Sequence, residues 1–174
     1  MPQEEDIERL TQHFAALGAP SPETWASSEV REGIPQLARF VFLRQAWSSV
    51  VGDGDASWIE PAIKRSAEAP NDPGSSIGPA LQRMLAAGVS SADIAEVVRV
   101  MQWELLHALT YQLADPGVVD YPSPDIPHIE WALFELDSDG NPRRQIGGLH
   151  ESVLWTDPTG REMRLEPTSH DAER

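Results

Sequence analysis

Residues 90–114 read SSADIAEVVRVMQWELLHALTYQLA, and this stretch decides the fold. Ser90 with Asp93 three positions on is a capping-box pattern that opens a helix. Asp115-Pro116-Gly117 closes it, because proline cannot continue a helical backbone. The span from Ser91 to Ala114 is about 36 Å long at the helical rise. Ile94, Val97, Val98, Met101, Leu105, Ala108 and Leu109 recur at helical spacing and form its main apolar face, which is expected to meet the core. Glu96, Val100, Trp103, Glu104, His107 and Tyr111 gather on the opposite side.

Upstream, the pattern stays helical. Ile7, Leu10, Phe14 and Leu17 predict an amphipathic helix over 4–17 with an acidic first turn and Gly18 as its stop. Ser21-Pro22 opens a short helix ended by Gly33 and Pro35, and Pro35 begins another that runs to about Val51. That helix is apolar nearly all round, so it is expected to be central, with Arg44 inside its apolar arc. Short helices follow around Trp58–Ile63 and Pro79–Ala87, separated by the turn-rich stretch 69–76.

Downstream, Pro122, Pro124 and Pro127 make 118–128 an extended connector. Ile129, Trp131 and Leu133 then alternate, Asp137–Pro142 turns, and Arg143–Ile146 returns as a partner strand. Gly147-Gly148 ends the strand before a short helix over 149–155. The fold class expected is α+β, mainly α: a compact, bundle-like helical body (4–115), a proline-rich connector (116–128), and a C-terminal β-hairpin with a short helix (129–166). Six tryptophans spread along the chain favour one globular domain over 1–166, with 167–174 a frayed tail.

Composition narrows the function. A formal charge of −15 repels nucleic acid and anionic membranes and favours a basic protein as partner, if the chain has one. With no cysteine there is no disulfide framework and no thiolate metal site. No secretory signal and no apolar run of membrane-spanning length is seen, so a cytoplasmic location is expected by elimination.

The run Ile146-Gly147-Gly148-Leu149-His150-Glu151-Ser152, followed by Thr156-Asp157-Pro158-Thr159-Gly160-Arg161-Glu162, resembles the ending of a group of small acidic bacterial proteins of uncharacterised activity. The resemblance covers roughly the second half of the chain. It implies a bacterial single-domain protein and carries over no activity or site.

Several chemical patterns are present and most fail on their own requirements. Gly74-Ser75-Ser76-Ile77-Gly78 matches G-x-S-x-G, but a nucleophile elbow needs a strand before the serine, and Pro70–Pro73 precedes it. Asp137-x-Asp139-x-Asn141 opens like a calcium loop, yet Pro142 stands where glycine must turn and Gly148 where the closing glutamate belongs. Residues 81–100 have a helix-turn-helix outline with the wrong charge for DNA.

Two constellations remain. Glu104 and His107 have the Glu-x-x-His spacing of di-metal bundles, without a second such unit, and with Tyr111 they are the catalytic candidates. Arg44 joins them as a charge partner for Glu104 or Glu96. Gly147, Gly148, His150 and Glu151 form the candidate binding loop, and His128, Glu130 and His150 are weak candidates for a metal. No cofactor is predicted and no oligomeric state follows.

Two functions stay open. One is a non-enzymatic, acidic protein-binding module of immunity or adaptor type. The other is a small-molecule or metal-dependent site between the long helix and the C-terminal hairpin.

Overall fold

A computed structural model describes residues 2–114, 125–127 and 129–163. The protein is α+β and mainly helical, with a two-stranded antiparallel hairpin near its C-terminus followed by a short helix. The helices are α1 (Pro2–Ala16), α2 (Pro22–Glu32), α3 (Gln36–Trp47), α4 (Ile59–Glu68), α5 (Ile77–Ala86), α6 (Ser91–Ala114) and α7 (Leu149–Ser152). The strands are β1 (Phe134–Leu136) and β2 (Pro142–Gln145), and 3-10 turns at Leu154–Thr156 and Arg161–Met163 follow α7. No helix among the described residues is long and apolar enough to cross a membrane.

The chain packs as two compact units, one of residues 1–48 with 105–174 and one of residues 49–104. In the first unit α1 lies on α2, α2 on α3, and α3 on α7 with the turn after it. Its core is aromatic. Phe14 is fully buried, stacked on Trp25 at 5.9 Å and edge-on to Phe40 at 5.8 Å, an arrangement that ring quadrupoles favour. Leu43, Trp47, Leu149 and Val153 extend the buried surface toward the C-terminal segment.

In the second unit Ile59, Ala62, Leu81 and Ile94 form the core. Gly78 brings α5 against α4, its N–H donating to Ser66 Oγ at 3.2 Å. This close approach gives a packing reason for the second glycine of the G-x-S-x-G match.

Local signals place most boundaries. Gly33 closes α2 at φ 73°, and the Ser90–Asp93 cap opens α6, with the Asp93 N–H donating to Ser90 Oγ at 3.0 Å and that hydroxyl donating to the Asp93 carboxylate at 2.7 Å. Two expectations need correction. The helix opened by Pro35 ends at Trp47 and not near Val51, since Ser48 Oγ bonds the Gln45 carbonyl and the chain turns. The strand expected from Ile129 begins only at Phe134, although Ile146 N–H still reaches the Leu133 carbonyl at 2.7 Å. Most of the 116–128 connector and the 167–174 tail lie outside the described residues.

The largest difference concerns α6. Of the apolar face only Ile94 is buried. Val97, Met101, Leu105 and Leu109 are 55, 64, 59 and 49% exposed, while Arg99 and Thr110 on the other side are buried at 2 and 1%. Backbone needs explain part of the inversion. The Val51 carbonyl accepts from Arg99 Nη1 at 2.8 Å, and the Val51 N–H donates to Gln102 Oε1 at 2.7 Å. Two side chains one turn apart thus satisfy a loop residue that has no ladder partner.

The hairpin is tied to the helices by one arginine. Arg144 donates to both oxygens of Glu135 at 2.7 and 3.0 Å and to Glu29 Oε1 at 2.7 Å. Glu29 Oε2 meanwhile accepts from the Leu37 N–H at 2.7 Å, at the start of α3. Arg144 hydrogen bonding holds the Glu135 carboxyl below its ordinary range, against a smaller opposing effect of burial. Arg144→Ala is therefore expected to cost about 1.5 kcal/mol, below the value for a fully buried pair because Arg144 is 38% exposed. A group with a depressed pKa contributes its stability above the ordinary carboxylate range and loses it as pH falls. The gap between wild type and variant, read by urea denaturation, should be full at pH 7 and narrow below about pH 4. An unchanged gap at low pH would mean that Arg144 acts by packing alone.

Candidate functional site

The strongest gathering of polar groups is in the first unit, where α3, the last turns of α6 and α7 supply the side chains. α7 starts from Gly148, which caps it at φ 59°. A Cβ there would sit 2.7 Å from Glu151 Oε2 and 2.8 Å from Arg39 Nη2, ends of flexible side chains that can shift, so it is the left-handed backbone that calls for glycine. Gly147 has open space where its Cβ would be and carries no such requirement.

α7 turns His150 toward α6. Its ring lies 4.7 Å from Tyr111 and 6.3 Å from His107, centre to centre, the latter edge-on at 82°. His150 Nδ1 is buried and has no hydrogen-bond partner. Two sets of candidates that are far apart in sequence, His107 with Tyr111 and His150, are thus brought together. Glu104 is exposed on α6.

Arg44 finds a partner other than a glutamate. Its Nη2 donates to the Gly18 carbonyl at 2.7 Å and its guanidinium lies over the Phe40 ring at 5.2 Å. Burial lowers its pKa from the ordinary value and the Asp157 charge works the other way. Arg39, five residues earlier on α3, is the arginine at the site. It is 7% exposed, donates from Nη1 to Ser152 Oγ at 3.3 Å, and has its pKa lowered by burial with Glu151 opposing. Sequence reading singled out Arg44 and passed over Arg39, although Phe40-Val41-Phe42-Leu43 beside it carried the same signal of a cation in an apolar run.

No group of three His, Asp or Glu side chains suited to a metal occurs among the described residues. His128 lies outside them, and Glu130 is exposed. The calcium-like turn is closed by its own bonds, with Asp137 Oδ1 accepting the N–H groups of Asp139 and Asn141 at 2.9 and 2.8 Å. Those bonds hold the Asp137 carboxyl below its ordinary range.

A groove of about 450 Å³ borders the same region. Trp25, Ser28, Glu32 and Gln36 of α2 and α3 form part of its wall, and Glu151, Ser152 and Trp155 another part. No feature of the sequence pattern joined these residues, which come from segments more than a hundred positions apart. Compared with known proteins, the chain matches no family model, no curated protein and no solved structure.

Proposed function

We propose that the protein is a non-enzymatic binding module of the adaptor or immunity kind, which docks the exposed face of α6 on an apolar surface of a basic protein. The observation that carries this reading is the row Val97, Met101, Leu105 and Leu109, which stands in solvent while Arg99 is buried. Four apolar residues at i, i+4 spacing make a ridge about 18 Å long of the kind that fits between the ridges of another helix. Soluble proteins seldom leave such a row uncovered. The charge of −15 selects the occupant: a second copy would bring like charge to the contact, whereas a basic protein is drawn in.

The test uses an amphipathic Leu/Lys helical peptide as probe. Binding is expected at low salt, with Leu105→Glu weakening it about tenfold and leaving the circular dichroism spectrum and urea midpoint unchanged. The variant adds negative charge, so its weaker binding of a cationic peptide reports apolar contact. Unfolding by Leu105→Glu would show the row to be core and sink the proposal. A dimer in sedimentation equilibrium that Leu105→Glu dissociates would give the face to a second copy instead.

A second reading, a small-molecule site, is favoured by the meeting of His107, Tyr111 and His150. A compound that shifts the His107 and His150 ring resonances together would support it, and a screen in which neither ring responds would remove it.

A further inference from the structure

We infer that the groove walled by Trp25, Glu32, Gln36, Glu151 and Trp155 binds the guanidinium of an arginine side chain presented by the partner. Its lining holds two tryptophans and two carboxylates and no lysine or arginine. Indole faces attract cations, more so when water is displaced from between them. Trp25 is a fixed wall, stacked on Phe14 and bonded through Nε1 to the Pro20 carbonyl at 3.0 Å. Trp155 is 49% exposed and offers its ring to an incoming group.

The polar groups point the same way. Gln36 is only 8% exposed, and its amide is oriented by donation from Nε2 to Ser28 Oγ at 2.9 Å. Gln36 lines the groove as a buried, fixed polar wall, and its Oε1 is shielded from solvent and accepts no hydrogen bond. Arg39 behind the wall balances Glu151, while no described residue pairs with Glu32, so the groove keeps net negative charge. A guanidinium suits this set better than an ammonium. It is flat enough to lie against indole, and its fixed fork of N–H groups can pair with a carboxylate in two parallel bonds.

The inference rests on the reading of the chain as a module for a basic protein, but it shares no residue with the α6 row. The two can therefore fail separately. The probe is N-acetyl-arginine methylamide, titrated against the intact protein and followed by tryptophan fluorescence and by NMR of the indole N–H signals. A dissociation constant on the order of 1 mM is expected for a ligand of this size. Trp155→Ala should weaken binding about tenfold and Glu32→Gln about threefold, and both side chains are exposed enough for the fold to survive. The lysine analogue should bind less well and the neutral citrulline analogue should not bind measurably.

Equal binding of the citrulline analogue would overturn the requirement for a cation. A lysine analogue that binds as well as the arginine one would overturn the match to guanidinium. Binding untouched by both Trp155→Ala and Glu32→Gln, or absent at high millimolar ligand, would overturn the site. Leu105→Glu should leave this titration unchanged whatever it does to the Leu/Lys peptide.

Discussion

Trp47→Ala should lower the stability of the first unit by about 4 kcal/mol. Trp47 is 2% exposed on α3 and donates from Nε1 to the Val153 carbonyl at 2.8 Å. The substitution removes an indole from the core and one of the hydrogen bonds on the Val153 carbonyl, which keeps the Thr156 N–H and hydroxyl as donors, and both losses fall on the joint between α3 and the C-terminal segment. Trp47→Phe restores much of the volume but not the N–H, so it should cost about 1–2 kcal/mol. Urea denaturation followed by far-ultraviolet circular dichroism measures both. Hydrogen exchange should also rise over 149–156 in the alanine variant before it rises in α1. A loss under about 1 kcal/mol would mean that α7 is held without Trp47.

Gly78→Ala should cost about 2–3 kcal/mol, at the upper end for overpacking and after allowing for alanine's better helix propensity. Gly78 does not have a positive φ, so the cost is steric and not conformational. A Cβ would overlap Ser66 Cβ and lie 2.7 Å from Ser66 Oγ and 3.3 Å from the Ile63 carbonyl. Since the overlap is with carbon next to backbone, α4 and α5 have to separate, and the Gly78 N–H loses its acceptor. Combining Gly78→Ala with Ser66→Gly removes the obstacle and should recover about half of the loss, a coupling that a double-mutant cycle reads directly. A cycle without coupling would place the cause elsewhere.

Those two sites mark different degrees of legibility. Trp47 is readable as core, because its neighbours on α3 are apolar on nearly every side. Its tie to Val153 is not readable, since nothing in either segment's pattern names the other across more than a hundred residues. Gly78 looks like part of a serine motif until Ser66 is found against it. Residues 70–76 are turns with no strand before the serine, and the glycine serves a contact with Ser66.

The candidate site divides in the same manner. His107, Tyr111, Gly148 and His150 were all singled out from residue type and position, and the structure brings both rings and His150 together. Arg39 and the Trp25–Trp155 groove were missed, because each depends on what α7 and the turn after it place opposite α2 and α3.

Local sequence sets the elements and their ends: the Ser90–Asp93 cap, the Gly33 stop, the break at Gly52–Asp55 and the hairpin turn around Asp137. These are short-range effects, settled by backbone dihedrals and local hydrogen bonds within a few residues. Which side of α6 faces inward is set by packing and not by local pattern. Periodicity identifies an apolar face, but a helix buries whichever side its neighbours cover. Val51 required a donor and an acceptor, which Arg99 and Gln102 on the other side supplied, and Val97, Met101, Leu105 and Leu109 were left in solvent.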